Sequence, residues 1–330
     1  MNTTNSILNK ISKTELWISK YTPKKLDDLI LHPITRKKLN NIQKIPTNSI
    51  FIGNSGSGKT VTARILANNI IPNQFKKDIF LNLNASDDRG LNLINNIIVP
   101  FIKKKFDKFP LKIIIINEAN TITPKAQIQI SYLMETYKNC KFIFVASELN
   151  DISDTIQSRC SILFFPLLST DIVKDQLSII NKKEKVKLDE DCLETLCSIT
   201  QRDLRQAINF LQVVSFIKKN KITPELIYQL FDKPNIVMIR SILTNLKKKN
   251  KKNTLQIINR IMEKGYSPND ILLAILNYII DFKETEFDET LTKDFLIKVY
   301  RITSKYYIRI NQGTETWIQV YGCLSEIFNL

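Results

Sequence analysis

Short apolar runs alternate with amphipathic stretches along the first half of the chain. Five of the runs predict β-strands, at residues 50–52, 78–84, 111–116, 141–147 and 161–165. The four consecutive isoleucines at 113–116 are typical of a strand that is buried on both faces of a parallel sheet. Because helical periodicity follows most of the runs, we predict a doubly wound α/β domain with its ligand at the carboxyl ends of the strands.

Beyond Pro166 the pattern is helical only. Amphipathic stretches predict four helices, at residues 171–180, 189–199, 203–217 and 224–231. Residues 235–330 are helical again, and residues 232–234, Asp-Lys-Pro, have the composition of a linker. We therefore predict three domains: an α/β domain at residues 1–165, a small helical domain at 166–234 and an all-helical domain at 235–330.

A glycine-rich turn joins the first predicted strand to a helix. It has the spacing G-x-x-x-x-G-K-[ST], with the residues Gly53, Asn54, Ser55, Gly56, Ser57, Gly58, Lys59 and Thr60. The backbone N–H groups of such a loop converge on phosphate oxygens, and the following helix adds a partial positive charge. Lys59 can reach the terminal phosphates and Thr60 can ligate Mg²⁺. A chance turn is disfavoured because strand, spacing, Lys-Thr and helix occur in order, so we predict a nucleoside triphosphate site.

Charge points to a polyanionic partner. The 330 residues carry a formal net charge of +16, and residues 1–165 hold 23 Lys and Arg against 12 Asp and Glu. The excess therefore lies with the predicted nucleotide domain, although lysines on solvated faces are the simpler explanation. A basic run at residues 247–252 is interpreted first as a solvated turn and second as a nucleic-acid contact.

Composition also narrows the class of protein. With 43% hydrophobic and 24% charged residues the chain is typical of globular proteins. No apolar stretch of about 18 residues is present, and residues 1–13 are polar, so we expect an intracellular protein, with nucleus and cytoplasm both open. The five cysteines have no C-x-x-C spacing, which disfavours both a disulfide framework and a zinc site. The single histidine, His32, has no other metal ligand near it in sequence.

Several motifs together resemble the replication factor C small subunits, which are AAA+ clamp loaders. They are Leu-Trp-Ile-Ser-Lys-Tyr-Thr-Pro at 16–23, the phosphate loop, Asn-Ala-Ser-Asp-Asp-Arg-Gly at 84–90, Gln-Ser-Arg-Cys at 157–160 and Asp-Leu-Arg-Gln-Ala-Ile-Asn-Phe-Leu-Gln at 203–212. The phosphate loop is widespread, whereas the Ser-Arg-Cys and Asp-Leu-Arg segments in this order are specific. The resemblance implies an AAA+ P-loop NTPase module with a parallel sheet, a helical lid and a C-terminal helical collar that mediates oligomerisation.

The resemblance also implies roles for individual residues, with ATP and Mg²⁺ as cofactors. Tyr21 and Pro23 are expected to line the adenine pocket, and Glu118 to polarise the attacking water. Arg205 would sense the γ-phosphate in the same subunit, whereas Arg159 would be an arginine finger for the ATP of a neighbouring subunit. Contacts with the DNA backbone are expected from Arg89, Lys103, Lys104 and Lys105. The implied partners are other subunits of a hetero-pentamer, a sliding clamp and primer-template DNA, with no membrane.

Three departures from the family pattern concern hydrolysis. Asn117 stands where the family has the aspartate that helps to hold Mg²⁺, and Ser147 stands where it has a sensor asparagine. Ser131 and Tyr132 replace paired arginines. ATP binding is therefore better supported than turnover. Two alternatives remain open: a nucleotide-binding structural subunit that hydrolyses little but donates Arg159, and a clamp-independent AAA+ repair or helicase-like ATPase, which the Ser-Arg-Cys segment and the third domain disfavour.

Overall fold

The computed structural model describes residues 15–44, 46–87, 90–106, 108–217, 222–231, 236–280 and 291–330. The chain divides into two compact units, Met1–Lys218 and Lys219–Leu330. This division falls inside the domain predicted at residues 166–234, and the linker predicted at residues 232–234 lies outside the described residues. The predicted division into three domains therefore stays a prediction.

The first unit contains a parallel sheet of five strands. They are β1 (Ser49–Gly53), β2 (Phe80–Asn84), β3 (Lys112–Asn117), β4 (Cys140–Ala146) and β5 (Ser161–Phe165). The spatial order is β2-β3-β4-β1-β5, so β1 lies between β4 and β5. Every pairing is parallel, which brings all five carboxyl ends to one edge. The predicted parallel α/β fold is confirmed.

Short and long helices precede and connect the strands of this sheet. They are α1 (Trp17–Lys20), α2 (Pro33–Lys44), α3 (Lys59–Ile70), α4 (Lys76–Ile79), α5 (Leu91–Leu93), α6 (Val99–Lys103), α7 (Pro124–Thr136) and α8 (Asp154–Gln157). A π-helical stretch, Ile94–Ile98, joins α5 to α6. The isoleucines of β3 separate by parity: Ile114 and Ile116 pack in one core cluster, and Ile113 and Ile115 in another. Side chains alternate between the faces of a strand, so the four-isoleucine run is buried on both sides, as its composition predicts.

Three helices complete the first unit and form the lid. They are α9 (Thr170–Glu184), α10 (Glu190–Ile199) and α11 (Leu204–Ser215). Asp203 is the N-cap of α11, where its Oδ1 accepts hydrogen bonds from the backbone N–H groups of Arg205 (2.9 Å) and Gln206 (3.1 Å). The α11 start is therefore satisfied by a side chain, and Arg205 is placed in the first turn.

The described part of the second unit is all helical. Its helices are α12 (Pro224–Leu230), α13 (Ile236–Lys247), α14 (Lys251–Glu263), α15 (Pro268–Ile280), α16 (Lys293–Asn311) and α17 (Trp317–Phe328). A capping box starts α15: the N–H of Ser267 donates to Asp270, whose own N–H donates to the Ser267 hydroxyl. The helices α13 to α17 share one core that includes Ile242, Ile271, Val299 and Cys323. The basic run at residues 247–252 begins at the end of α13 and continues into the start of α14.

A buried lysine closes the carboxyl end of α6. Lys112, the first residue of β3, is only 5% exposed. Its ammonium group donates hydrogen bonds to the carbonyl oxygens of Phe101 (2.7 Å), Ile102 (3.0 Å) and Lys104. Burial lowers the pKa of Lys112. One cation thus satisfies carbonyl groups that the helix end leaves without intrahelical partners.

We expect Lys112→Met to lower the free energy of unfolding by about 1–3 kcal/mol, because buried carbonyl oxygens would lose a charged donor. Chemical denaturation of the purified chain measures the effect. Lys108→Met, at an exposed turn position nearby, is the control and should change stability little. Equal stability of the two variants would show that the ammonium contacts contribute nothing.

Candidate nucleotide-binding site

A cavity of about 490 Å³ opens at the carboxyl edge of the sheet. It is bounded by the phosphate loop, the ends of β2, β3 and β4, and the lid. The lining residues are Ser55, Gly56, Gly58, Lys59, Thr60, Val61, Arg64, Asn82, Leu83, Asn84, Asp87, Asn117, Glu118, Asn120, Val145, Ala146, Ser147 and Arg205. The cavity lies where a doubly wound sheet is expected to bind its ligand.

The predicted phosphate loop occupies one wall of the cavity. Gly56 and Gly58 have φ values of 70° and 89°, a left-handed conformation that favours glycine. The Lys59 ammonium donates to the carbonyl oxygens of Gly53 (2.7 Å) and Asn54 (2.8 Å). The hydroxyl of Ser57 also donates to Asn54 O, at 2.8 Å. The loop is therefore folded back on itself at the N-terminus of α3.

Two groups from outside the loop approach its glycines closely. A Cβ on Gly53 would lie 2.2 Å from the carbonyl oxygen of Phe165, the last residue of β5. A Cβ on Gly56 would lie 2.0 Å from Oδ1 of Asp203 in the lid. Neither position has room for a side chain. The second contact brings the lid directly onto the phosphate loop.

Positive charge is concentrated around Lys59. Burial is the main cause that lowers the pKa of Lys59, and the guanidinium of Arg205 lowers it further. The carboxylate of Asp203 acts in the opposite direction. Two cations, one from the phosphate loop and one from the lid, thus face the same cavity, an arrangement that attracts an anion such as a phosphate chain.

A second, smaller cavity of about 220 Å³ adjoins the first. Thr22, Pro23 and Lys24 line it, and it shares Val61 and Arg64 with the larger cavity. Pro23 therefore lines a cavity that adjoins the one containing the phosphate loop.

Tyr21 is not among the residues that line either cavity. Its hydroxyl donates to Oε1 of Glu184, the last residue of α9. Burial and the Glu184 carboxylate raise the pKa of Tyr21 to about 12. The phenol is therefore un-ionised at neutral pH, and it connects the start of the chain to the lid.

Asn117 ends β3 in register with Asn84 of β2. Its side-chain N–H group donates to Oδ1 of Asn82 and to the carbonyl oxygen of Leu83, both at 2.9 Å. The Oδ1 atoms of Asn117 and Asn84 are buried without a hydrogen-bond partner. An aspartate at position 117 could not make the two donated bonds. The asparagine is thus integrated into the edge of the sheet.

The oxygen groups near Asn117 fit a magnesium ion. Mg²⁺ prefers oxygen ligands, and the buried Oδ1 of Asn117 has a free lone pair. Thr60 lines the same cavity and supplies a hydroxyl oxygen. Both ligands are neutral, so they would hold the ion without the charge of a carboxylate.

The two predicted water-orienting residues lie at the ends of neighbouring strands. Glu118 follows β3 in a left-handed conformation with a φ of 53°, and its side chain is exposed. Ser147 follows β4 and is also exposed. Both line the cavity, so the structure brings them to the phosphate loop.

The two predicted arginines have different surroundings. Arg205 lines the cavity, whereas Arg159 is exposed and is not among the lining residues. The Arg159 guanidinium donates to Oε1 of Glu135 through Nε (2.9 Å) and Nη2. Its Nη1 donates to the carbonyl oxygen of Thr155 (2.6 Å) and to the hydroxyl of Ser158 (3.3 Å). Arg159 is therefore held on the surface, away from the cavity.

The residues predicted to contact DNA lie outside this cavity. Arg89 falls outside the described residues. Lys103 ends α6, and Lys104 forms an ion pair with Asp78 at 2.7 Å. Lys103, Lys104 and Lys105 are all exposed, so their ammonium groups can be reached by a polyanion.

Some residues at the site could not be assigned from the sequence. Asn82 and Asn84 share one face of β2, because alternate residues of a strand point the same way. Polar residues at the carboxyl end of a predicted strand were a usable signal for both. Asp203 lies in the Asp-Leu-Arg segment, but no local pattern predicted its contact with the phosphate loop, and Glu135 had no sequence signal, since both contacts join residues far apart in sequence.

The described residues contain neither a candidate metal cluster nor a candidate membrane-spanning helix. Within these residues no group of three or more His, Cys, Asp or Glu side chains could hold a metal ion. In the same residues no helix is long and apolar enough to cross a membrane. The cysteines are free thiols, and burial raises the pKa of Cys140 to about 12.

Two protein families match the chain. Residues 49–167 match the family described as "ATPase family associated with various cellular activities (AAA)". Residues 234–326 match the "Replication factor C C-terminal domain". The first match covers the phosphate loop and all five strands. The second covers most of the described helices of the second unit.

Relatives align over nearly their full length. A protein of Acanthamoeba polyphaga mimivirus, described as a replication factor C small subunit, is 32% identical over 314 residues, which are 94% of this chain and 96% of the relative. Replication factor C subunit 4 of Saccharomyces cerevisiae is 30% identical over 95% of this chain and 96% of its own length. The solved structure of the Thermotoga maritima RuvB Holliday junction branch migration motor has a TM-score of 0.52 and 14% identity, and it covers 68% of this chain and 79% of its own. That likeness shows the fold.

We expect Asn117→Asp to lower the free energy of unfolding by about 1–3 kcal/mol, because the carbonyl oxygen of Leu83 would lose its donor and face a carboxylate. Asn120→Asp adds the same charge to the same cavity without removing these bonds, and it should change stability less. Chemical denaturation of both variants tests the difference. An equal loss in both would assign the effect to charge alone.

Proposed function

This chain belongs to the replication factor C small-subunit family, and on that premise we propose that it is an ATP-binding subunit of a clamp loader. The subunit would help to load a sliding clamp onto primer-template DNA during replication. One observation carries the proposal: Arg205 lines the subunit's own cavity, whereas Arg159 is fixed outside it. Such a division suits a ring in which each nucleotide is bound by one subunit and contacted by the next.

The proposed ligand of the cavity is ATP with Mg²⁺. The loop N–H groups and Lys59 would bind the phosphates, and the base would enter the smaller cavity beside Pro23. Thr60 and Asn117 would hold the ion, which when bound neutralises part of the phosphate charge. Arg205, from the lid, would contact the terminal phosphate and so make lid position dependent on the nucleotide.

The subunit's own hydrolysis is proposed to be slow. Glu118 would accept a proton from the attacking water, which needs a carboxylate near the terminal phosphate. Asn117 contributes no negative charge to the ion, and its amide group is committed to Asn82 and Leu83. Ser147 offers one short hydroxyl, whereas the amide of an asparagine would offer both an N–H donor group and a carbonyl acceptor. These features support nucleotide binding more strongly than turnover.

The proposed partners follow from charge and family membership. The subunit would assemble with sister subunits in a hetero-pentamer, bind a sliding clamp and surround primer-template DNA. Lys103, Lys104 and Lys105 are exposed at the end of α6 and would contact DNA phosphates. The work would take place wherever DNA is replicated, in the nucleus or in the cytoplasm.

Arg159→Ala, introduced into the assembled complex, should lower ATP hydrolysis at the neighbouring site by about 10-fold or more, because an arginine finger stabilises the charge of the transition state. Nucleotide binding by the purified chain should be unchanged. Arg159→Lys keeps the charge but loses the planar fork, so it should restore only part of the rate. ATPase assays of the complex and equilibrium nucleotide binding of the chain are the measurements. An unaltered ATPase rate in the Arg159→Ala complex would reject the trans role.

The lysines after α6 should determine part of the salt dependence of DNA binding. Replacing Lys103 and Lys105 together by alanine should make the slope of log K against log salt shallower by about 1–2, since each lost phosphate contact removes about 0.9. The double variant Lys248→Ala/Lys249→Ala, in the turn after α13, is the control and should leave the slope unchanged. A salt titration of primer-template binding by the complex measures both. Identical slopes in the two variants would argue against a DNA contact at α6.

A further inference from the structure

We infer that Glu184 is a positioning residue for the nucleotide site, which fixes the lid and thereby Arg205 by binding Lys20 and Tyr21. The inference deepens the proposed function and rests on it, since it assumes that Arg205 contacts the terminal phosphate. It assigns a role to a residue far in sequence from the phosphate loop and outside both cavities.

The first support is the cluster around Glu184. A single carboxylate oxygen, Oε1, accepts hydrogen bonds from the Lys20 ammonium (2.6 Å) and from the Tyr21 hydroxyl. The Glu184 side chain is 17% exposed, and the ammonium groups of Lys20 and Lys183 lie 5.6 and 5.8 Å from the centre of the Tyr21 ring. Charge-assisted bonds of this kind are stronger than bonds between neutral groups.

The protonation states favour the same contact. The hydrogen bonds from Lys20 and Tyr21 lower the pKa of Glu184, and burial with the Glu184 bond raises the pKa of Tyr21. Glu184 is therefore a carboxylate and Tyr21 a neutral phenol throughout the neutral pH range. The Tyr21 hydroxyl therefore stays a donor and the Glu184 carboxylate an acceptor across this pH range.

The same segment is attached to the lid at a second point. The backbone N–H of Trp17 donates to Oε1 of Gln212 in α11 (3.0 Å), and the Gln212 amide donates back to the carbonyl oxygen of Glu15 (3.4 Å). The Trp17 side chain is buried, with 7% exposure. Residues 15–21 are thus bound to both α9 and α11, and they lead directly into Thr22 and Pro23 of the smaller cavity.

On the other side of the site, the lid contacts the phosphate loop through Asp203. Its carboxylate lies against Gly56 and caps α11, and Arg205 extends from the first turn of that helix into the cavity. The lid is therefore held at two ends, by Glu184 on the base side and by Asp203 on the phosphate side. Because α9 and α11 pack together, a change at Glu184 alters the approach of Arg205.

The test compares the affinities of the purified chain for ATP and for ADP, measured by competition with a fluorescent ATP analogue. Arg205→Ala should lower the preference for ATP, and Glu184→Ala should lower it by about 5- to 20-fold, in the range typical of coupling between sites. The double variant should lose no more than Arg205→Ala alone. Glu184→Gln keeps an oxygen that accepts both bonds, and it should recover part of the preference.

Two further variants make the test specific. Glu190→Ala removes another carboxylate of the lid, which pairs with Lys174 at 3.2 Å and is 85% exposed, and it should leave the ATP preference unchanged. Tyr21→Phe removes only the phenolic donor and keeps the ring, so it should reduce the preference even if Glu184→Ala fails to fold.

The outcomes separate the inference from the proposed function. If Arg205→Ala removes the ATP preference but folded Glu184→Ala and Tyr21→Phe retain it, the positioning role of Glu184 is wrong and the proposed function stands. If Arg205→Ala itself leaves the preference intact, the proposed role of Arg205 fails and the inference fails with it. A fall in the affinities for ATP and ADP by the same factor would also overturn the inference, because it would show loss of the base pocket alone.

Discussion

The site depends on close packing against the glycines of the phosphate loop. At Gly53 the neighbour is the backbone of β5, and at Gly56 it is the carboxylate of Asp203. The first contact is possible because β1 and β5 are adjacent and in register, with Gly53 opposite Phe165. The second is possible because Asp203 is fixed by the N–H groups at the start of α11. The phosphate loop is therefore packed against the sheet at Gly53 and against the N-cap of a lid helix at Gly56. Any side chain at Gly56 would have to displace the Asp203 carboxylate.

Amide side chains lie at the carboxyl ends of β2 and β3. Asn84 and Asn117 are paired in register, and the Asn117 amide group is bound to Asn82 and Leu83. At this edge two buried oxygen atoms, one on Asn84 and one on Asn117, have no hydrogen-bond partner. Buried oxygens without donors are costly, and a cation or water that binds there recovers part of that cost. Asn117 therefore does more than remove the negative charge of an aspartate, because its amide group also donates two hydrogen bonds to β2.

The main features of the fold could be predicted from the sequence because they depend on local periodicity. The isoleucine run of β3, the phosphate loop and the helices of the lid each have a pattern within about 15 residues. The candidate site was partly predictable: Lys59 and Thr60 follow from the spacing of the loop after a predicted strand, whereas Glu118 and Ser147 were expected only from the resemblance to the replication factor C small subunits. The contacts of Glu184 with Tyr21 and of Glu135 with Arg159 join residues 163 and 24 positions apart, and no periodicity encodes them. The contacts of Lys112 could not be predicted either, since no pattern in the neighbouring sequence indicates that its ammonium group caps α6.

The surroundings of Arg159 set a condition on any role in a neighbouring site. A guanidinium has five N–H donors, and contacts within the subunit use four of them: two to Glu135, one to Thr155 and one to Ser158. One donor on Nη2 is left for an incoming phosphate oxygen. A bidentate contact needs two donors, so one of the four existing bonds would have to break. The bond to Ser158, at 3.3 Å, is the longest of the four. Because the bonds to Glu135 and Thr155 can persist during that exchange, the arginine would meet a phosphate with its orientation already set. The side chain is thus held in place by its own subunit while two of its donors can turn outward.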